Sequence, residues 1–402
     1  VSQTGQADPV VRIAAKGDGL TEGGRHVAGA VPGDAIDADG EIIPGPHHVD
    51  PPCRHFPQCG GCELQHADDA ALAQFVSERV RFAAESQGLE PEVLAPPHLS
   101  PPRSRRRATL HVARIGKKIV IGFREGGSHR IVDMAECHIL SPELFALVAP
   151  LRALLGHWQG KLAADIQLTR IDSGVAVEIK GIAPDGLAQT EALLDFAREQ
   201  GLARLSIDEG YGPEPVWEPS PAMVTIGGVP VAFPHGAFLQ PTSDGEAALV
   251  SAAKEWCAGH GVVADLFAGL GTFAFALGGP GKVLAAEADR AAHLACQAAA
   301  RQSGRPVHAL HRDLFRDPLT AAEISKFGAI LLDPPRAGAR SEVDQIAQST
   351  ATRVAYISCN PQSWARDARR LADAGFRLAE LRPVGQFRWS THVELASLFL
   401  RD

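Results

Sequence analysis

Over the first fifty positions the apolar residues come in short, separated runs: Val10-Val11-Arg12-Ile13, His26-Val27-Ala28 and Ala35-Ile36-Asp37-Ala38. Gly17, Gly19, Gly23, Gly24 and the Pro32-Gly33-Asp34 turn punctuate them. Brief strands with glycine turns predict a small β-barrel, a shape often turned toward nucleic acids. Pro44, Pro46, Pro51 and Pro52 mark a linker, and His47-His48 within it reads as a solvated pair. Residues 143–202 mix helical periodicity (144–155 and 187–196) with strand patterns (166–168 and 175–179), predicting a mixed α/β unit. From about Pro234 the pattern becomes strand–loop–helix. The run 262–266 leads into Phe267-Ala268-Gly269-Leu270-Gly271-Thr272, while 282–287, 329–333 and 354–358 each end on a polar residue. That alternation predicts a parallel sheet whose ligands lie beyond the carboxyl ends of its strands.

Composition narrows the class. With 402 residues, 45% of them hydrophobic and 21% charged, the chain has the makings of sizeable cores; wholesale disorder, a coiled coil and a collagen-like fibre are excluded. No run of eighteen apolar residues occurs, and the first thirty positions lack a charged, then apolar, then small pattern. The expectation is a cytoplasmic protein with no membrane span and no cleaved leader. Three domains are expected: a barrel over 1–50, a middle domain over 51–233 and a sheet domain over 234–402.

The formal charge of −8 would argue against a polyanionic partner, but it is an average. Between Arg103 and Arg130 stand Arg103, Arg105, Arg106, Arg107, Arg114, Lys117, Lys118, Arg124 and Arg130 against the single acid Glu125, so this island carries +8. Its two alternating stretches, 108–112 and 118–123 with Gly116 at the turn, predict a hairpin presenting its charges in a rank suited to phosphates.

Seven cysteines are odd in number and too few for a disulfide framework. Cys59 and Cys62 form a C-x₂-C pair around Gly60-Gly61, with Cys53 six positions earlier and Cys137 the next cysteine along the chain. Four thiolates suit zinc or an iron–sulfur cluster, and spacing does not separate the two. His55, His66 and His138 flank the set as packing or nucleic-acid-facing side chains. Cys257 and Cys296 fall in helical patterns and read as core.

In the sheet domain, the glycines after the first strand allow close approach of a nucleoside cofactor, and Glu287 ends the next strand as a ribose-hydroxyl acceptor. Gly269-x-Gly271 running on to Ala274 also satisfies a dinucleotide fingerprint, so this signal alone leaves an NAD enzyme open. The discriminators are Asp333-Pro334-Pro335-Arg336 and Ser358-Cys359-Asn360-Pro361.

The ordered motifs together (the Cys53–Cys62 cluster, Asp265-x-Phe267-x-Gly269-x-Gly271-Thr272-Phe273, Asp333-Pro334-Pro335-Arg336, Ser358-Cys359-Asn360-Pro361 and His392-Val393-Glu394) span essentially the whole chain. The sequence resembles the RNA 5-methyluridine methyltransferase family, in the branch that carries an N-terminal TRAM domain and an iron–sulfur cluster and modifies 23S ribosomal RNA. The resemblance implies an OB-like TRAM barrel over 1–50, a [4Fe–4S] cluster on Cys53, Cys59, Cys62 and Cys137, and a class I, Rossmann-like α/β methyltransferase sheet at the C-terminus. It also implies S-adenosyl-L-methionine contacts from Gln240, Phe267, Thr272, Glu287, Asp313 and Asp333, with Cys359 as nucleophile and Glu394 as base. Two segments depart from the family pattern: Gln240-Pro241-Thr242 replaces Gln-x-Asn, and Ser104-Arg105-Arg106-Arg107 lacks a tyrosine.

The implied activity is methylation of C5 of an RNA uridine through a cysteine–C6 adduct, on a base splayed from its stack. Methylation of the tRNA T-loop uridine is the nearest rival. Cytosine-5 methylation, a non-catalytic iron–sulfur RNA-binding or electron-transfer protein, and an NAD enzyme are more distant ones. No obligate protein partner is expected.

Overall fold

The computed structural model describes residues 7–279 and 281–402, so the first six positions of the predicted barrel lie outside the described residues. The N-terminal unit holds five short antiparallel strands: β1 (Asp8–Ile13), β2 (Gly19–Thr21), β3 (His26–Val27), β4 (Ala35–Ile36) and β5 (Ile42–Ile43). They are ordered β3-β2-β1-β4-β5. This is an open ladder; no pairing of β3 with β5 closes it into the expected barrel among the described residues. Strands of two and three residues carry few ladder bonds, and the unit's own core is small: Val10, Ala30 and Ile36. Ile13 and Val31 pack instead into the large core beneath. Buried Asp34 ties the loops, accepting from the Val31 and Gly45 N–H groups at 2.9 and 2.7 Å and lying 2.8 Å from His48 Nδ1. His47 faces Asp68 at 2.9 Å, so both junction histidines hold carboxylates rather than standing free in water.

Helix α1 (Asp69–Glu85) and strands β6 (Val93–Leu94) and β7 (His98–Leu99) follow. Although the sequence groups them with the middle domain, β6 and β7 pair in parallel with a strand of the C-terminal sheet, and α1 buries Leu72, Phe75, Val76 and Val80 against that sheet's face.

The middle unit proper comprises β8 (Arg107–Ile115), β9 (Lys118–Gly122), α2 (Pro142–Ala146), α3 (Val148–Leu155), β10 (Ala163–Ile171), β11 (Gly174–Lys180), α4 (Gly186–Glu199), β12 (Arg204–Asp208) and β13 (Pro213–Trp217). Its sheet runs β13-β12-β11-β10-β8-β9, and α2, α3 and α4 cover one face through Leu144, Leu151, Leu155, Leu193 and Phe196. The single helical pattern over 144–155 is broken at Leu147 into α2 and α3. Pro150, in the first turn of α3, has no N–H to give Ala146, so the earlier helix is not continued. A hairpin, β14 (Met223–Ile226) and β15 (Val229–Ala232), bridges to the last unit.

That unit alternates α5 (Ser243–Cys257), β16 (Val263–Leu266), α6 (Thr272–Leu277), β17 (Val283–Glu287), α7 (Arg290–Ser303), β18 (Val307–His311), α8 (Ala321–Ile324), β19 (Ala329–Leu332), α9 (Arg340–Gln348), β20 (Arg353–Ser358), α10 (Pro361–Asp373), β21 (Arg377–Gly385) and β22 (Glu394–Leu400). The strand order is β18-β17-β16-β19-β20-β22-β21-β6. Strands β16 to β20 are parallel and β22 runs antiparallel between β20 and β21. Alternate residues bury to opposite sides. Leu266, Leu332, Tyr356 and Phe399 face α1, α9 and α10, while Val263, Ala285, Leu331 and Leu398 face α5, α6 and α7. The order reverses between β16 and β19, and a crevice opens there at the carboxyl ends.

One buried network holds the crevice rim. Asp367 on α10 accepts from Tyr356 Oη and from the Ala339 N–H, both at 2.7 Å, pinning the loop that follows β19. Replacing Asp367 by Ala orphans the buried Tyr356 hydroxyl and leaves the Ala339 N–H only its 3.2 Å bond to Tyr356 Oη. It is expected to cost about 1–3 kcal/mol of stability, read by urea denaturation; an unchanged midpoint would remove this network from the account of the rim.

Candidate active site

The crevice is a cleft of about 1250 Å³ lined by Phe238, Gln240, Phe267 to Leu270, Thr272, Glu287, Asp333 to Arg336, Cys359 and Glu394, among others. Strand register explains the convergence. Ser358 of β20 pairs with Leu395 of β22, so Cys359, just past one strand, lies beside Glu394, the first residue of the other. Leu266 pairs with Leu332, and the Asp333 N–H bonds the Leu266 carbonyl at 3.2 Å, which brings Asp333 beside Phe267.

The glycine loop is built by close approach. Gly271 has φ +91°, and a Cβ there would lie 2.8 Å from the Phe275 ring and 3.1 Å from Cys296 Sγ. Glu287 is aimed by two backbone donors, Gly269 N–H at 2.8 Å and Asp289 N–H at 2.6 Å, leaving carboxylate lone pairs free for further donors. Phe267 (φ +68°) faces Phe315 with ring centroids 5.4 Å apart, giving the cleft an aromatic wall. Gln240 is buried and accepts from Gln386 Nε2 at 2.9 Å. Sequence reasoning missed Gln386 and Phe315, because neither lies in a recognisable motif.

Asp313 does not line the cleft. Its carboxylate turns its own loop, accepting from the Phe315 N–H at 3.1 Å and pairing with Arg316. Its neighbours Arg312, Leu314 and Phe315 line the cleft. Thr242, where the family pattern has asparagine, caps α5 by accepting the Gly245 N–H at 3.1 Å.

Electrostatically the cleft floor is acidic and dry. Burial, and then Asp333 nearby, push Glu394 up to about 8; burial pushes Asp333 to about 7. Burial, then the charges of Glu394 and Asp333, push the Cys359 thiol up to about 11, with Arg336 the cation opposing them. Buried Asp265, beneath the loop, is pushed to about 8 by burial and by Asp333.

A second convergence lies in the middle of the molecule. Cys53, Cys59, Cys62 and Cys137 line one small pocket with Phe56, Phe123, Val132, Met134 and Ile139. Burial is the chief cause that pushes the thiols of Cys53, Cys59, Cys62 and Cys137 up. Gly60 and Gly61 are required by contact: added Cβ atoms would meet the Arg124 carbonyl at 2.8 Å and the Phe123 ring at 2.9 Å. Among the described residues, no three His, Cys, Asp or Glu side chains are grouped as ligands of a metal ion.

The basic island is not a rank of free charges. Arg106 is buried and bonds Glu246 Oε2 at 2.6 Å and the Gln240 carbonyl at 2.9 Å. Arg114 donates to the Trp158 carbonyl, Lys118 meets Asp133 at 2.6 Å and Arg130 meets Glu125 at 3.5 Å. Arg107 stacks over Phe238, 5.4 Å from its ring centroid, at the cleft mouth.

A nucleoside-sized cleft at the switch point of such a sheet, with a thiol and two buried carboxyls on its floor, defines a methyltransferase-type α/β fold. The solved structure of Pyrococcus abyssi tRNA (uracil-54, C5)-methyltransferase in complex with S-adenosyl-L-homocysteine shares this fold, with a TM-score of 0.76 over 98% of this chain and 99% of that one at 21% identity. Residues 309–402 match the family described as tRNA (Uracil-5-)-methyltransferase. An uncharacterized RNA methyltransferase of Zymomonas mobilis is 46% identical over 393 residues, covering 98% of this chain and 99% of its own length. The 23S rRNA (uracil(1939)-C(5))-methyltransferase of Pectobacterium atrosepticum is 31% identical over 90% of this chain and 82% of its own. The chain belongs to the RNA uracil-C5 methyltransferase family. Among the described residues no helix is long and apolar enough to cross a membrane.

A pH test follows for the free protein. Alkylation of Cys359 by iodoacetamide is expected to be slow at pH 7.5 and to climb toward pH 11. Glu394 is ionised at pH 9, so Glu394→Gln removes a like charge, lowers the thiol pKa and speeds alkylation there. A slower or unchanged rate would contradict the coupling.

Proposed function

We propose that the protein methylates C5 of a uridine in RNA, with Cys359 as nucleophile and Glu394 as base. The observation that carries this reading is the β20–β22 register, which sets a thiol and a buried carboxyl side by side on the floor of a nucleoside-sized cleft. Gln240, Phe267, Thr272, Glu287 and Asp333 would hold S-adenosyl-L-methionine, and the cleft's aromatic wall and aimed carboxylate fit an adenosine group. When bound, that group supplies an electrophilic methyl on a sulfonium.

C5 of uracil is a weak nucleophile. Cys359 sulfur adds to C6, and the C5–C6 electron pair becomes enolate density that makes C5 nucleophilic. Once C5 carries the methyl, Glu394 takes the C5 proton, the double bond re-forms and the Cys359 thiolate leaves C6. A carboxyl pushed to about 8 is a stronger base, once ionised, than an exposed one. Arg336 is the charge available to favour the thiolate. A uridine must leave its stack to reach Cys359, so a single-stranded loop is the fitting substrate.

The 31% identity to a 23S rRNA enzyme over most of the chain favours ribosomal RNA. The family description names tRNA, which keeps a tRNA uridine as the second reading. Nucleoside analysis after methyl transfer to each RNA separates them. The four-cysteine pocket is read as a [4Fe–4S] site, since its walls carry four thiols among apolar side chains. The open N-terminal sheet is read as the TRAM-type module over 1–50, with the cluster-bearing domain over 51–233 and the methyltransferase domain over 234–402.

Cys359→Ala is expected to abolish methyl transfer while retaining S-adenosyl-L-methionine binding, and Glu394→Gln to accumulate a denaturation-resistant enzyme–RNA band. Normal turnover by the first variant would sink the mechanism; lost activity without a band in the second would point to another base. Anaerobically purified protein is expected to be brown, with iron and acid-labile sulfide near four each per chain. Stoichiometric zinc without sulfide would refute the cluster.

A further inference from the structure

The loops after β19 and β20, which carry the cleft floor, are tied together by one side chain. Asn360 follows Cys359 and caps α10, its Oδ1 accepting the Gln362 N–H at 3.2 Å. Its Nδ2 donates to the Arg336 carbonyl at 2.9 Å, 24 residues back along the chain. The two bonds fix which end of the amide is which, because the swapped orientation would set N–H against N–H and oxygen against oxygen. The backbone of Asn360 is engaged as well. Its N–H meets Ser358 Oγ at 3.1 Å, and its carbonyl accepts from Ser363 Oγ and the Trp364 N–H, both at 3.1 Å.

Capping alone does not call for asparagine, since aspartate and serine cap a helix about as well. What they lack is the second bond. A carboxylate has no hydrogen to donate, and a serine hydroxyl is too short to cap the helix and reach another loop at once. The loop that receives the bond is closed at its ends and open at its apex. The Asp333 N–H bonds the Leu266 carbonyl at 3.2 Å, the Gly338 N–H bonds the Pro335 carbonyl at 2.9 Å, and Ala339 is pinned to Asp367. Gly338 has φ +89°, and a Cβ there would lie 2.6 Å from Asp367 Oδ2. Pro335, Arg336 and Ala337 form the exposed apex. Among the described residues, the Arg336 carbonyl accepts only from Asn360, and the Arg336 guanidinium has one polar side-chain contact, Nη2 with His392 Nδ1 at 3.4 Å. Arg336 and Cys359 line the same cleft, and Asn360 does not line it.

We propose that Asn360 is a positioning residue: by holding the Arg336 carbonyl it keeps the Arg336 guanidinium on the cleft wall beside Cys359. This rests on the reading of Cys359 as the nucleophile. The charges acting on that sulfur come from three segments: Glu394 at the start of β22, Asp333 directly after β19, and Arg336 at the apex, the cation opposing the two acids. An exposed cation is screened by water, so its effect on the thiolate is a few-fold, and it fades as the apex drifts outward.

The test follows alkylation of Cys359 by iodoacetamide between pH 7.5 and 11, read by mass spectrometry of the Cys359 peptide from the full-length protein. Asn360→Ser keeps a cap of similar quality and adds no charge, but gives up the bond to Arg336. Its urea midpoint is expected to stay near that of the wild type. Its alkylation is expected to slow by about two- to fivefold at pH 9, because a displaced cation raises the thiol pKa and leaves less thiolate. Arg336→Gln is expected to slow alkylation at least as much, and Asn360→Ser added to Arg336→Gln to change nothing further. Ser363→Ala removes one bond to the Asn360 carbonyl but leaves the Asn360 amide in place, and is expected to alkylate like the wild type. Methyl transfer by Asn360→Ser is expected to show a lowered kcat with an unchanged KM for S-adenosyl-L-methionine. Wild-type alkylation in Asn360→Ser overturns the proposal, as does equal slowing with and without the Arg336 side chain. Equal slowing in Ser363→Ala also overturns it, since that marks a general loosening of the turn. The alkylation measurements need no RNA. Failure of the wild type to methylate any RNA therefore overturns the functional reading, while the tie between Asn360 and Arg336 stands or falls on alkylation.

Discussion

One antiparallel strand decides where the chemistry can occur. In a wholly parallel sheet, ligand-facing residues all follow strands; β22 enters against the others, so its first residue arrives at the edge where β16, β17, β19 and β20 end. Glu394 therefore meets Cys359 although 34 intervening residues include a full helix and strand. The pairing Ser358 with Leu395 fixes the meeting, and a slip of one residue would turn Glu394 to the other face of the sheet. Tyr356 and Ser397, partners in that ladder, reinforce it from below: Ser397 Oγ donates to the Tyr356 carbonyl at 3.0 Å and accepts from Trp364 Nε1 at 2.9 Å.

The dry floor makes proton position the governing variable of the cleft. Asp265, Asp333, Glu394 and Cys359 are each displaced toward the protonated form, chiefly by burial. At neutral pH the free cleft thus holds less negative charge than its composition implies. A cation entering it favours the ionised forms, so ligand binding and deprotonation are coupled through the same few ångströms.

Where strands are buried on both faces and end in a motif, the sequence was transparent: 262–266, 282–287, 329–333 and 354–358 match β16, β17, β19 and β20 to within a residue at each end. The hairpin of β8 and β9 about Gly116 was equally legible. What stayed hidden depends on long-range partners. Helix α1 carries a polar face broad enough to mask its apolar stripe, and two-residue strands such as β6 and β7 have no periodicity to detect. The island's charge was read correctly and its disposition was not, because Arg106 and Arg114 serve interior carbonyls and a carboxylate that only the folded chain brings near. Gln386 matters through Gln240, a neighbour from another segment, which no local pattern encodes.

The attachment of α1, β6 and β7 to the C-terminal sheet has a consequence for biosynthesis. These elements leave the ribosome some three hundred residues before β21, the strand that receives β6 and β7. Until then Leu72, Phe75, Val76 and Val80 have no permanent cover, and the middle unit must fold as an insertion between two separated parts of one layer. Contacts so distant in sequence form slowly and leave apolar surface open to wrong partners. The nascent chain therefore has its longest exposure to misassembly in the helix that later backs the catalytic sheet, and its last seven-residue strand is the one that ends it.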